Sequence, residues 1–174
     1  MLTVDEKRRT CAPETEFEAV CRQFGDSLFR LACSYESAPD LRDDLLQEIR
    51  LALWKALPGF RGECSLRTFV YRVAHNRGLS HVWRRRQHAR FTDDLPDVGD
   101  PQPTAESAAI GRDRLASLMR AIRRLPIPYR QVITMTLDEL PQSEIANVLG
   151  ISENNVAVRL NRARKLLREA LGGK

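Results

Sequence analysis

Basic and amide side chains recur along one helix-forming stretch near the end of the sequence. Residues 152–171 place Asn155, Arg159, Arg162 and Lys165 between apolar residues that recur at helical spacing. Arginine can bond two acceptors of guanine, and asparagine can pair with adenine. The chemistry that these side chains offer is therefore the recognition of nucleic acid.

The residues around this stretch predict a helix-turn-helix. Gly150 follows an apolar helical run and suits a left-handed helix end, and Ser152 offers an N-cap oxygen to the next helix. Ala146 is small enough to let the two helices cross closely. In this motif the second helix enters the major groove of DNA. The alternative is an ordinary helical hairpin with a solvated basic face. The side of the second helix predicted to be buried carries Val156, Leu160, Ala163 and Leu167.

A second stretch interleaves aromatic and basic side chains. It reads FVYRVAHNRGLSHVWRRR and covers residues 69–86. Aromatic faces stack on unpaired bases while arginines neutralise the backbone, so this composition is typical of a surface that binds single-stranded nucleic acid. The alternative for Phe69, Val73 and Trp83 is the core of a helical bundle, which those three residues taken alone favour.

Composition excludes several classes of protein. The chain has 174 residues, a formal net charge of +5, 43% hydrophobic and 29% charged residues. A positive balance favours an anionic partner such as nucleic acid. No apolar run approaches the roughly 20 residues that span a bilayer, and the opening MLTVDEKRRT lacks the apolar core of a signal peptide. We therefore expect a cytoplasmic protein without membrane insertion.

The cysteines and histidines do not have the spacing of a metal site. No CxxC pair occurs, and the usual zinc-ligand spacing is missing. No glycine-rich phosphate loop is present either. We therefore expect no metal, no cofactor and no enzymatic activity. The residues concerned are Cys11, Cys21, Cys33, Cys64, His75, His81 and His88.

Periodicity along the chain predicts an all-α fold with two small helical domains. A flexible N-terminus is expected over residues 1–13, a helical domain over 14–90, and a second one over 112–174. Residues 91–111 contain no lysine or arginine but are rich in acidic residues and proline, so they predict an acidic, proline-rich linker.

Four stretches, in order, resemble the sigma-70 family of RNA polymerase sigma factors, in its small extracytoplasmic-function group. They are DDLLQEIRLALWKAL, FRGECSLRTFVYRVAHNRGLSHVWRRR, LPIPYRQVITM and SEIANVLGISENNVAVRLNRARKLL. The resemblance implies a bundle like region 2 and a helix-turn-helix domain like region 4. It also implies three partners, which are core RNA polymerase through its β′ clamp and β flap, promoter DNA, and an anti-sigma factor.

The resemblance further implies site residues for three tasks. Without the resemblance, the polar face that carries the polymerase-binding set, named next, would be interpreted as an ordinary solvated surface. The polymerase-binding set, which matches the DLxQE pattern of the family, is Asp44, Leu45, Gln47 and Glu48. The set that recognises and melts the −10 element is Phe60, Arg61, Cys64, Arg72, His75, Asn76, Arg84, Arg85 and Arg86. The set that reads the −35 element is Asn154, Asn155, Ala157, Val158, Arg159, Asn161, Arg162 and Lys165.

Five positions depart from the pattern of the family. Phe69 stands where tryptophan is usual, Leu66 where phenylalanine is frequent, and Cys64 where serine is frequent. Met135 replaces a frequent arginine that contacts the DNA backbone, and Pro141 replaces a capping serine. We expect packing to survive and the preferred promoter sequence to differ from the commonest one.

Two other classes of function compete with a sigma factor. A stand-alone helix-turn-helix regulator would bind duplex DNA without polymerase, but it would need a sensor or dimerisation domain. An enzyme acting on nucleic acid would need clustered carboxylates, and Asp43, Asp44 and Glu48 cluster only on a leucine-rich helix without a supporting motif.

Overall fold

The computed structural model describes residues 13–91 and 109–172. These residues form seven α-helices and one short 3-10 turn, Leu57–Gly59, and they contain no strand. The all-α fold predicted from the sequence is thus confirmed. The helices are α1 Pro13–Tyr35, α2 Pro39–Ala56, α3 Leu66–Phe91, α4 Ala109–Arg124, α5 Ile127–Leu137, α6 Gln142–Leu149 and α7 Glu153–Ala170.

Proline sets several of the helix boundaries. Pro39 occupies the first position of α2, where its missing N–H has no intrahelical partner to lose. Pro58 lies in the 3-10 turn that follows α2. Pro126 is the N-cap of α5, and its extended backbone separates α5 from α4. These residues therefore divide the chain into helices short enough to pack as bundles.

Helices α1, α2 and α3 form an N-terminal unit around an apolar core. Leu28, Leu31, Leu45, Ile49 and Leu53 are at most 1% exposed. They recur every three or four residues on α1 and α2, which is the spacing of one helix face. Helix α3 packs against both of these helices.

Helices α4 to α7 form a C-terminal unit, and their buried apolar residues belong to the same core cluster as those of the N-terminal unit. Val132 and Met135 of α5 and Ile145 of α6 are fully buried. The face of α7 that the sequence predicts to be buried is confirmed, because all four of its residues lie in the core. These residues are Val156, Leu160, Ala163 and Leu167.

The two units touch each other directly. Helix α1 packs against α4 and α5, and α3 packs against α6. The linker predicted over residues 91–111 overlaps helix at both ends, since α3 runs through Phe91 and α4 begins at Ala109. Its remaining residues, 92–108, and the predicted flexible segment, apart from Pro13, lie outside the described residues. None of the described helices is long and apolar enough to cross a membrane.

Gly78 lets α3 pass close to the ring of Tyr35 at the end of α1. A Cβ at Gly78 would lie 2.4 Å from that ring. The ring is confined by His75, whose centroid is 5.9 Å away, and by the guanidinium of Arg130 at 5.8 Å. Position 78 therefore has to be glycine unless the ring moves.

Replacing Gly78 with alanine should lower the free energy of unfolding by about 2 kcal/mol, because overpacking exceeds the gain in helix propensity. Urea denaturation followed by circular dichroism measures this change. Gly25→Ala is the matched control, since Gly25 lies within α1 and a Cβ there meets nothing within 4 Å. That variant should be stabilised by about 0.5–1 kcal/mol. Equal stabilisation of both variants would contradict the close approach at Gly78.

Candidate nucleic-acid interface

The turn between α6 and α7 has the geometry that its sequence predicts. Gly150 is left-handed, with φ 66° and ψ 37°, and ends α6. The backbone N–H of Ile151 donates to the carbonyl of Ala146 at 3.1 Å. The hydroxyl of Ser152 accepts from the N–H of Asn155 at 3.3 Å and caps α7. The helix-turn-helix is therefore confirmed.

The predicted −35 residues lie on the side of α7 that faces away from the core. Val158 is 42% exposed, and Ala157 and Arg159 are half-buried. Arg159 donates to the side chain of Asn155 at 2.9 Å, so these two side chains hold each other. Arg162 lies 3.4 Å from the hydroxyl of Tyr129 on α5. The other exposed members are Asn154, Asn155, Asn161, Arg162 and Lys165.

Two residues that depart from the pattern of the family, Met135 and Pro141, lie in the C-terminal unit. Met135 is fully buried, so this position packs the core of the unit. Pro141 is the N-cap of α6 and makes no side-chain capping bond. This is the capping position that the sequence assigns to it, and α6 begins at the next residue, Gln142.

A cavity of about 760 Å³ lies beside the loop that joins the 3-10 turn to α3. Phe60 and Phe69 form part of its wall, with ring centroids 4.7 Å apart. Ser65 caps α3 by accepting from the N–H of Thr68 at 3.0 Å, which fixes the end of the loop. Four members of the predicted −10 set line this cavity, namely Phe60, Arg61, Cys64 and Arg72.

The C-terminal unit supplies the other side of this cavity. Glu144 and Asn147 of α6 both line it. Arg72 donates to the backbone carbonyl of Asn147 at 2.8 Å. The cavity therefore combines cationic and aromatic groups of one unit with polar groups of the other.

Three comparisons with known proteins bear on this arrangement. The model of sigma-70 region 2 matches residues 20–88, and the model of sigma-70 region 4 matches residues 115–167. The sigma factor YlaC of Bacillus subtilis (strain 168) is 30% identical over 147 residues, which cover 82% of this chain and 82% of YlaC. The chain belongs to the sigma-70 family of RNA polymerase sigma factors.

Further similar proteins place the chain within the family. SigM of Mycobacterium tuberculosis (strain ATCC 25618 / H37Rv), an ECF RNA polymerase sigma factor, is 29% identical over 90% of this chain and 77% of SigM. A solved structure of CnrH in complex with the cytosolic domain of CnrY has a TM-score of 0.67 and 26% identity, covering 91% of this chain and 88% of CnrH. The extracytoplasmic-function group predicted from the sequence is confirmed.

Two arginines of the predicted −10 set form ion pairs within the N-terminal unit. Arg84 contacts Glu48 at 2.5 Å, and Arg85 contacts Glu36 at 2.5 Å. The hydrogen bond from Arg84 lowers the pKa of Glu48, a member of the polymerase-binding set. Arg86 is exposed. The arginine run is therefore partly engaged in holding α3 against α1 and α2.

Asn76 belongs to a different surface from the cavity. It lines a groove between α2 and α3 together with Lys55, Val73 and Arg77. The structure thus brings four members of the −10 set together and separates Asn76 from them.

Trp83 is 59% exposed, so the interpretation of this residue as core is wrong. Phe69 and Val73 are partly buried against the core.

His75, assigned to the −10 set, is a core residue. It is 2% exposed, and its Nδ1 lies 2.9 Å from the hydroxyl of Tyr35. Burial lowers its pKa to about 3, so the ring is neutral near pH 7. A neutral ring inside the bundle cannot contact DNA, so this assignment is corrected.

Leu45, assigned to the polymerase-binding set, is also fully buried in the core. Asp44 and Gln47 are exposed and Glu48 is half-buried, so the polar members of the set do reach the surface. The exposed leucines beside them are Leu41, at 38%, and Leu51, at 50%. The motif alone did not show which of its leucines faces the core.

Acid should destabilise the protein through His75. Between about pH 7.5 and pH 5.5 only the unfolded chain takes up a proton at this position, because the folded pKa lies far below the ordinary 6.5. This group should therefore lower the free energy of unfolding by about 1.4 kcal/mol over that interval. Urea titrations at the two pH values measure the change.

His75→Gln is the comparison for this measurement. The variant keeps the other two histidines, so the difference between its pH dependence and that of the parent isolates His75. We expect the variant to be less stable at neutral pH but to lose less stability on acidification. The same loss in both proteins would contradict a buried, neutral His75.

Sequence reasoning missed Glu36, which organises the end of α1. Its carboxylate is fully buried and lies 2.9 Å from Nε2 of His81 and 2.5 Å from Arg85. It also accepts from the backbone N–H groups of Ser37 and Ala38, at 2.8 and 3.0 Å. Burial raises its pKa, but these hydrogen bonds outweigh burial and hold the pKa at about 2. An acidic residue directly after an apolar helix is the signal that could have found it.

The described ranges, 13–91 and 109–172, hold no group of three histidine, cysteine or acidic side chains placed to bind a metal ion. Cys21 and Cys33 are partly buried thiols, and burial raises the pKa of each. Both thiols are therefore protonated near neutral pH.

Proposed function

We propose that this sigma factor directs RNA polymerase to promoters by reading the −35 element with α7 and the −10 element with the loop before α3. One observation carries the proposal. Two surfaces suited to DNA lie on the two units that match sigma-70 regions 2 and 4, so a single chain holds both readers. The same chain acts without catalysis, since binding energy alone opens the −10 element.

The −35 element is read by the exposed side of α7. Arg162 is assigned to guanine, which it can bond through two donors, and Asn161 to adenine. Lys165 and Arg159 are assigned to phosphates. Ala157 and Val158 present small apolar surfaces that fit the methyl group of thymine. The cap at Ser152 supports these assignments because it fixes the N-terminal turn of α7.

The −10 element is read at the cavity beside Phe60 and Phe69. A base flipped out of the duplex loses stacking worth a few kcal/mol, which contacts in a pocket must offset. The two rings offer apolar faces, and Arg61 and Arg72 offer positive charge to the backbone. Trp83, at 59% exposure, adds an aromatic face further along α3.

The exposed polar face of α2 is proposed to bind the β′ clamp of core RNA polymerase. Asp44 and Gln47 lie three residues apart and point outward together, with Leu51 one turn further along. An acidic and apolar surface of this kind suits a basic helix of a partner. The C-terminal unit is proposed to bind the β flap.

An anti-sigma factor is proposed to control this protein in the cytoplasm. CnrH, a similar protein, has been solved in complex with the cytosolic domain of CnrY. The likeness covers 91% of this chain, so a surface for such a partner can extend over both units. No cofactor takes part in the proposed function.

Run-off transcription with core RNA polymerase tests the proposal. The reaction is run with and without the protein on genomic fragments, and the 5′ ends of the transcripts are mapped. We expect new starts that share sequence elements about 10 and 35 bases upstream, a spacing read by two surfaces of one chain. Polymerase without the protein is the control.

A different pattern would overturn this function. Tight binding to a duplex site without polymerase, together with no new start, would identify a stand-alone helix-turn-helix regulator. New starts that share only a −35 element would contradict the proposal that the cavity recognises the −10 element.

A further inference from the structure

We propose that Asp138 latches the C-terminal unit onto the N-terminal unit and thereby keeps the −10 surface of the free protein covered. The inference rests on the proposed function, because it regulates the surface that the proposed function assigns to the −10 element. Asp138 lies in the turn between α5 and α6, outside every set predicted to bind DNA or polymerase.

Asp138 receives hydrogen bonds from three residues of the N-terminal unit. Arg30 of α1 contacts Oδ1 through Nε at 2.7 Å and through Nη2 at 2.6 Å. The hydroxyl of Tyr71 donates to Oδ2 at 2.9 Å. Arg67 donates to the backbone carbonyl at 2.6 Å. The side chain of Asp138 is only 2% exposed, so its charge depends on these donors.

The same contact places α6 over the −10 surface. Arg67 also forms an ion pair with Glu144 at 3.8 Å, one turn into α6. Arg72 donates to the carbonyl of Asn147 at 2.8 Å. One donor group of Arg72, Nη2, is therefore engaged by α6 and not by DNA in this closed form.

Charge and shape both exclude a DNA strand from the covered cavity. Glu144 and Asn147 stand on the side opposite Phe60 and Phe69. Glu144 adds a negative charge that repels phosphates, and the α6 residues that line the cavity reduce the space left for a strand. The units must separate before the −10 element can bind.

The contacts that Asp138 makes with the N-terminal unit are all polar. The side chain of Arg30 is 50% exposed, so salt can reach this end of the ion pair, whereas the Asp138 end is buried. The remaining polar contacts include Arg123, which donates to the carbonyl of Cys33 at 3.2 Å.

Thiol accessibility tests the latch in the full-length protein. Cys64 lines the covered cavity, and Cys21 lies in α1 on the same unit. The rate of alkylation by N-ethylmaleimide is measured for each cysteine by peptide mass spectrometry. For Asp138→Asn we expect the rate at Cys64 to rise about fivefold or more, since one charged hydrogen-bond network is lost. The rate at Cys21 should not change.

Two further variants control for folding and charge. Glu139→Gln makes the same change of charge at the next residue, which is exposed, and should leave Cys64 as protected as in the parent. Arg30→Gln breaks the latch from the N-terminal unit without altering the C-terminal unit. It should expose Cys64 in the same way as Asp138→Asn. Circular dichroism checks that all variants keep their helices.

The outcomes separate the latch from the proposed function. Unchanged alkylation of Cys64 in both folded latch variants would overturn the latch, whatever the transcription assay gives. Exposure of Cys64 only in the two latch variants supports it and needs neither polymerase nor DNA. If the chain does not start transcription, the proposed function is wrong. The alkylation rates would still show whether Asp138 holds the two units together.

Discussion

Glu36→Gln should be among the most destabilising single substitutions in the N-terminal unit, lowering the free energy of unfolding by about 3 kcal/mol. The neutral amide removes the charge that pairs with Arg85 and His81. The amide oxygen can still accept from the backbone N–H groups of Ser37 and Ala38, so the amide NH2 is left facing the guanidinium donors of Arg85. Removing one partner from a buried charged network leaves the others without compensation. Urea denaturation at neutral pH measures the loss.

Glu18→Gln is the matched control for this substitution. Glu18 lies on the exposed side of α1, and the same chemical change there should alter stability by less than about 0.5 kcal/mol. The pH dependence supplies a second check. The folded pKa of Glu36 lies below its ordinary 4.5, so its contribution is present above pH 4.5 and is lost as the pH falls toward 2. Glu36→Gln should lack this part of the acid sensitivity.

A second large effect is expected at Arg162, which should set the preference for the −35 sequence. Initiation from the mapped −35 element is divided by initiation from a version with its guanine replaced. Arg162→Ala should lower this ratio by about five- to 150-fold, equivalent to roughly 1–3 kcal/mol. Run-off transcription on the two templates measures this ratio. Within residues 13–91 and 109–172, the hydrogen-bond partner of Arg162 is the hydroxyl of Tyr129, at 3.4 Å, so its loss should hardly affect stability.

Arg164→Ala provides the comparison on the same helix. Arg164 is exposed and lies two residues from Arg162, so it projects from a different side of α7; it lines a groove with Leu118 of α4 and with Asn161. Its removal can change total initiation through other partners, but it should leave the ratio between the two templates unchanged. A ratio that falls equally in both variants would place base recognition elsewhere.

Local signals predicted the elements of this fold well. Gly150 and Ser152 act through contacts with residues only a few positions away, so the turn between α6 and α7 could be placed from sequence alone. The four buried positions of α7 followed from helical spacing for the same reason. The prolines near the helix ends likewise act on the backbone next to them.

The errors came from contacts that depend on distant parts of the chain. His75 sits in a basic, aromatic stretch, and only packing against Tyr35, 40 residues earlier, shows that it is buried. Leu45 belongs to a motif that binds polymerase, yet it faces the core. The contact of Arg30 with Asp138 spans 108 residues, and no local pattern announces it.

The side of the cavity formed by Glu144 and Asn147 couples promoter affinity to an internal equilibrium. A strand of DNA binds only molecules in which α6 has moved away from the loop, so the apparent dissociation constant equals the intrinsic one divided by the open fraction. If about one molecule in a hundred is open, promoter binding is weakened about a hundredfold. A partner that binds only the open form raises the affinity of the protein for DNA by the same factor. DNA raises the affinity for that partner equally. Polymerase and promoter would then bind this protein cooperatively, even without a direct contact between the two.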